Sequence, residues 1–172
     1  MRRMLLLLPI LVVAVGCSSG SGQSVDEKDT QAAIADLFQN NAAEAPAKSS
    51  CEGTLAAQAG ATVKCKADDS AGKTWPVTAK VAKVEGDKVD VEATFDDQLV
   101  ALADARDKVA RMYRQFSEGP VRGVDCKGLQ KLEVNSVRQC TVTEAGGKTV
   151  PVTFAISSVK GDQYFYSVRQ AG

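Results

Sequence analysis

CEGTLAAQAGATVKC, residues 51–65, and CKGLQKLEVNSVRQC, residues 126–140, are stretches of equal length, each bounded by cysteines 14 residues apart. Sliding the chain by 75 residues lays one on the other and takes Cys51 to Cys126 and Cys65 to Cys140. The shift holds downstream without a gap. Gly72-Lys73-Thr74 meets Gly147-Lys148-Thr149, Pro76-Val77-Thr78 meets Pro151-Val152-Thr153, and Val84, Gly86 and Asp87 meet Val159, Gly161 and Asp162. It also holds upstream, where Ile34, Ala35, Leu37 and Phe38 fall on Val109, Ala110, Met112 and Tyr113. A match carried through on both sides of the cysteines marks an internal duplication, each copy being one supersecondary unit.

Each copy opens on an amphipathic helix. In the first, Ser24 and Glu27 stand at capping-box spacing, and Ile34, Leu37 and Phe38 share one face. In the second, Asp96 or Asp97 is placed to cap. There Leu99, Leu102, Val109, Met112, Tyr113 and Phe116 supply the apolar stripe, and Gly119-Pro120 ends it. The pairs Asp104–Lys108 and Asp107–Arg111, at i and i+4, read as a solvated helix face. Three strands follow in the first copy, around 62–67, 73–84 and 88–95. Val77, Ala79 and Val81, then Val89, Val91 and Ala93, alternate with polar residues as a half-buried sheet requires. The second copy repeats this with Val150, Val152, Phe154 and Ile156, then Tyr164, Tyr166 and Val168. Glu85-Gly86-Asp87 and Lys160-Gly161-Asp162 supply tight turns. The expected fold is α+β: two tandem repeats, 24–95 and 96–172, each a helix, a disulfide-linked loop and a three-stranded antiparallel meander.

Ahead of the repeats, Met1-Arg2-Arg3-Met4 is a positive leader and Leu5 to Val15 an apolar run broken only by Pro9. That run is too short to span a bilayer and reads as a signal peptide, residues 1–16. Ala14-Val15-Gly16-Cys17 resembles the lipobox of bacterial lipoproteins, so Cys17 is expected to carry the lipid. The Ser/Gly-rich stretch after it makes 17–23 a flexible tether. The expected location is the outer, extracytoplasmic face of the cell membrane, with the bilayer itself as the first partner.

Five cysteines become four once Cys17 is assigned, and outside a reducing cytosol these read as disulfides. Four cysteines allow three connectivities. The duplication chooses among them, because each unit should carry its own cross-link: Cys51–Cys65 and Cys126–Cys140.

These residues carry a family resemblance. The pattern from Cys51 to Cys65, then Gly72-Lys73 and the alternating strand from Trp75 to Val84, is similar to the actinobacterial domain of unknown function 4333 (DUF4333), present here in two tandem copies. The family's usual proline after the first cysteine is replaced by Glu52 and Lys127, and its loop glycine is Gly60 in one copy but Asn135 in the other. The resemblance implies an envelope lipoprotein and the same cysteine pairing; it implies no activity.

Chemistry is sparse. The chain has no histidine, which removes the commonest general base and most zinc sites. With every cysteine assigned no nucleophilic thiol is left. The adjacent carboxylates Asp68-Asp69 and Asp96-Asp97 read as hairpin solvation and helix capping. A calcium loop starting at Asp68 fails, since Ala79 sits where the bidentate glutamate belongs. No enzyme, no metal and no cofactor is therefore expected. Without Arg2 and Arg3 the 21 basic residues fall to 19 against 21 acidic ones, so nothing draws the mature chain to nucleic acid. The charge is uneven: residues 18–98 hold 8 Lys and 14 acids, residues 99–172 hold 11 Lys or Arg and 7 acids. Phe165 takes the place of Asp90, putting an aromatic where the outward face of a strand is expected. It marks an inter-repeat contact, a face under a helix, or a partner-binding site.

The functional expectation is a noncatalytic binding module for an envelope protein or cell-wall partner. An inhibitor of an envelope or secreted enzyme is the alternative, by fold-level likeness to the beta-lactamase inhibitory protein. An envelope enzyme with an unrecognised site comes third.

Overall fold

The computed structural model describes residues 23–117, 119–161 and 163–171. The leader, Cys17 and nearly all of the tether lie outside the described residues. The first unit comprises α1 (Glu27–Ala42), β1 (Lys48–Cys51), β2 (Thr62–Asp68), β3 (Thr74–Glu85) and β4 (Lys88–Phe95). The second comprises α2 (Leu102–Tyr113), β5 (Val121–Cys126), β6 (Val137–Glu144), β7 (Thr149–Lys160) and β8 (Gln163–Gln170). Each unit is a helix laid on one face of an antiparallel meander, in the orders β1-β2-β3-β4 and β5-β6-β7-β8. The architecture is α+β, and the two sheets are separate. No helix among the described residues is long and apolar enough to cross a membrane.

Each sheet has four strands rather than three. The strand missed by sequence reading is the first: Lys48-Ser-Ser-Cys51 has no apolar alternation, because it is a short edge strand with little to bury. Its register places Cys51 directly opposite Cys65, and Cys126 of β5 opposite Cys140 of β6. The cross-links expected to close a loop therefore bond neighbouring strands, with Cα–Cα distances of 3.9 and 4.0 Å. Glu52 N–H donates to Lys64 C=O beside the first bridge. That puts the cysteines on the non-hydrogen-bonded pair, where antiparallel strands approach closest.

The alternation read along the strands is the one observed. Trp75, Val77, Ala79 and Val81 of β3 are buried, as are Val150, Val152, Phe154 and Ile156 of β7. Against them pack Thr30, Ile34, Phe38 and Ala42 of α1, and Leu102, Ala105, Val109 and Tyr113 of α2. The duplication extends to irregular features. A bulge falls between Val81 and Lys83 and again between Ile156 and Ser158. Isolated bridges join Ser24 to Ala56 and Leu99 to Lys131. Gly60 and Asn135 both have positive φ, 85° and 68°, and donate to Val81 and Ile156. Asparagine is among the few side chains that accept this conformation, so the loop survives the loss of glycine.

The helix starts differ from expectation. Ser24 lies in its bridge, and Asp26 caps α1 by accepting from Lys28 N–H at 2.9 Å. Neither Asp96 nor Asp97 caps α2, whose cap is Ala101 without a side-chain bond. Their partners lie in the sheet and the loop: Asp96 accepts from Thr78 and Lys64, and Asp97 pairs with Lys131 at 2.9 Å. Leu99 is consequently outside the helix, and α2 ends at Tyr113, before Gly119-Pro120. The units touch where Leu99 and Leu129 join the first core and Ala43 packs on the second.

Candidate functional site

The adjacent carboxylates Asp68-Asp69 and Asp96-Asp97 have structural partners. Asp69 is buried and takes three donors, the Trp75 indole at 2.9 Å and the backbone N–H groups of Ala71 and Lys73. It is a turn anchor and not the solvated hairpin residue expected from the pair Asp68-Asp69. Its counterpart Glu144 accepts from Tyr113 at 2.7 Å. The bonds from Thr78 and then Lys64 hold Asp96 below the ordinary carboxylate range. Among the described residues no three His, Cys, Asp or Glu side chains gather to hold a metal.

Phe165, the residue singled out on β8, is 67% exposed. Neither helix nor the other unit covers it; it stands beside a shallow cleft of about 380 Å³ with Asp104, Lys108, Gln163 and Tyr164. Tyr164 turns inward and donates to Asp104, which also pairs with Lys108 at 2.6 Å. The Lys108 ammonium lies 4.6 Å from the Tyr164 ring centre. Burial raises the Asp104 carboxyl, but the bonds from Lys108 and Tyr164 outweigh it and leave the group below its usual value. Burial first, then the Asp104 bond, pushes the Tyr164 phenol far above its usual value.

The charge asymmetry also has a location. Arg106, Arg114 and Arg122 line a groove of about 220 Å³ between α2 and β5. At the same places the first unit carries Gln31, Gln39 and Ala47.

A third site, which sequence reading missed, lies where α1 begins. A cavity of about 390 Å³ opens among Val25, Asp26, Glu27, Thr30, Leu55 and Val63, with the turn at Gly53-Thr54 at its edge. Its size lies in the range of small-ligand sites. Val63, Val25 and Leu55 give it an apolar floor, while Asp26 and Glu27 place two exposed carboxylates on the rim. In the second unit the residue in place of Val63 is Arg138, 2% exposed. Its guanidinium donates to the Val100 carbonyl at 3.2 Å, and Val100 is the counterpart of Val25. Arg138 therefore crosses the space that stays open in the first unit. Nε and Nη1 of Arg138 have no hydrogen-bond partner among the described residues. Burial drives its guanidinium down to about 10. The signal was present in the sequence as the Val63–Arg138 mismatch, but an arginine in a strand reads as solvent-facing.

The family model described as Domain of unknown function (DUF4333) matches residues 12–86 and again 87–161. Each match is 75 residues long, the same period as the duplication. No curated protein and no solved structure matches the chain.

Proposed function

We propose, starting from the fact that this chain belongs to the DUF4333 family in two tandem copies, that it is a noncatalytic binding module. In this reading the lipid on Cys17 holds it to the outer face of the membrane. Its partner is an envelope protein or a cell-wall component. One observation carries this: the two units share a skeleton down to bulges and isolated bridges, yet differ in what they expose. The first presents an open cavity with an acidic rim; the second presents Phe165 and an arginine-lined groove. A shared scaffold with divergent surfaces suits recognition, and the carboxylates of Asp69, Glu144, Asp104 and Asp97 are engaged in turns and pairs.

The test is photo-cross-linking on living cells from positions bordering Phe165 and the cavity, followed by mass spectrometry. A single dominant partner, lost when Cys17→Ser releases the chain from the membrane fraction, is the expected result. An unmodified Cys17 in the mature protein overturns the anchor. Turnover of an envelope substrate that disappears on replacing one Asp, Glu or Lys overturns the noncatalytic reading.

A further inference from the structure

The first-unit cavity and the space that Arg138 occupies are counterparts in the two units. Moving by 75 residues from each wall of the cavity gives the wall that surrounds Arg138. In the second unit Asp26, Glu27 and Thr30 become Ala101, Leu102 and Ala105. The chemistry is exchanged between occupant and wall. Where the arginine is built in, those three positions are apolar while Leu55 gives way to the buried Gln130, and Nε and Nη1 of the arginine have no hydrogen-bond partner among the described residues. Where the arginine is missing, the wall has two carboxylates and a threonine.

We infer that the cavity between α1, the Gly53-Thr54 turn and Val63 is a receptor for an arginine side chain presented by a partner polypeptide. The inference rests on the binding-module reading and names the chemistry of its contact. The aliphatic stem would pack on Val25, Leu55 and Val63. The guanidinium would reach the Val25 carbonyl, as that of Arg138 reaches Val100. Asp26 and Glu27 would close on it from the rim. The bonds the structure gives them use Asp26 Oδ1, on the Lys28 N–H, and Glu27 Oε1, on Gln31. A planar guanidinium with a fork of N–H donors suits paired carboxylate oxygens better than a lysine ammonium does. The start of a helix favours anions, but two carboxylates on the rim reverse that preference locally.

The experiment uses the detergent-solubilised full chain and N-acetyl-L-arginine methylamide as probe, with the neutral citrulline analogue as control. Amide resonances are followed by NMR. Saturable shifts at Val25, Gly53 and Thr54 with the arginine compound, and none with citrulline, are expected. Asp26→Asn combined with Glu27→Gln should weaken binding about tenfold or more, the effect of losing charge-assisted bonds. Val63→Arg should fill the cavity and abolish the response. If that variant fails to fold, Val63→Met fills the same space without charge and must abolish it too. An equal response to citrulline, shifts confined to the Phe165 cleft, or competition by phosphate at the α1 start would each overturn the inference. Capture of a partner on cells through other surfaces, with no arginine binding, leaves the module reading standing and removes this one. Arginine binding with no partner captured does the reverse.

Discussion

Replacing Arg138 with methionine should stabilise the second unit. The guanidinium is 2% exposed, makes one hydrogen bond, to Val100, and leaves Nε and Nη1 without partners. Burial moves it down from its ordinary range to about 10. At about 1.4 kcal/mol per tenfold, keeping the charge inside costs on the order of 3 kcal/mol. The folded state thus binds the proton less well than the unfolded chain. The penalty is present in full below pH 10, and it is relieved as pH rises from there towards the ordinary arginine range. Arg138→Met removes the charge and keeps an unbranched stem of similar reach. Against that gain stands the Val100 carbonyl, which loses its donor at about 1–2 kcal/mol. The net expectation is a gain of about 1 kcal/mol, in line with the replacement of buried ions by apolar side chains elsewhere. Arg138→Ala, which empties the space as well, should instead cost about 2–4 kcal/mol. Urea unfolding can assign the effect to one unit, because the single tryptophan, Trp75, lies in the first unit and all three tyrosines lie in the second. Tyrosine near-ultraviolet signals should shift and Trp75 fluorescence should not. A loss of more than about 2 kcal/mol on Arg138→Met would show that the guanidinium is fully bonded in the folded state, and the reasoning fails.

Removing Cys126 and Cys140 together should destabilise the second unit by about 3 kcal/mol, the value for closing a loop of about 15 residues. Unreduced peptide maps should contain no bridge between units. Phe165→Asp should change stability by less than about 0.5 kcal/mol, as exposed positions do, while lowering cross-linking to the partner; a variant that fails to fold would place Phe165 in the core after all. Tyr113, bonded to Glu144 and buried, and Tyr164, buried and bonded to Asp104, both have raised phenol values. Their contribution to stability is complete below the ordinary tyrosine range and lost above it. Ultraviolet difference titration should show both resisting ionisation until alkaline unfolding, and early ionisation of all three tyrosines would contradict this. Asn135→Gly should be nearly neutral, whereas Asn135→Val should cost about 1–2 kcal/mol at this positive φ, read by thermal unfolding.

The parts legible in the sequence were those that repeat or alternate. The period of 75 decided the cysteine pairing, and alternation placed β3, β4, β7 and β8 because one face of each is buried. What stayed hidden depends on partners distant in sequence. β1 and β5 are edge strands whose pairing leaves little apolar pattern. Asp96 and Asp97 sit where a helix cap belongs, yet Thr78, Lys64 and Lys131, from β3, β2 and the second unit, claim them. Asp69 looks like any turn aspartate until the Trp75 indole is seen to end on it. Phe165 was legible as a change of character between copies; only the structure shows that nothing among the described residues covers it.

The two cores differ by changes that compensate each other, and this isolates the one that does not. In the first unit a strand indole, Trp75, donates to the turn carboxylate of Asp69, and the helix offers Phe38 without a hydroxyl. In the second unit Val150 replaces the indole, the helix residue becomes Tyr113, and the carboxylate lengthens to Glu144 to meet it. The donor has moved from sheet to helix, and a buried aromatic still ends on the turn carboxylate. Val63 and Arg138 break that rule. The second unit took a charge into its core, gained one bond to Val100, left two nitrogens unpaired among the described residues, and exchanged Asp26, Glu27 and Thr30 for Ala101, Leu102 and Ala105 while Leu55 became Gln130. Stability gives no reason for such an exchange, since an aliphatic side chain would avoid the buried charge and its unpaired nitrogens at lower cost. An account in terms of space does: Arg138 closes in the second unit the cavity that the first keeps open, so only one of the two copies retains this cavity with an acidic rim.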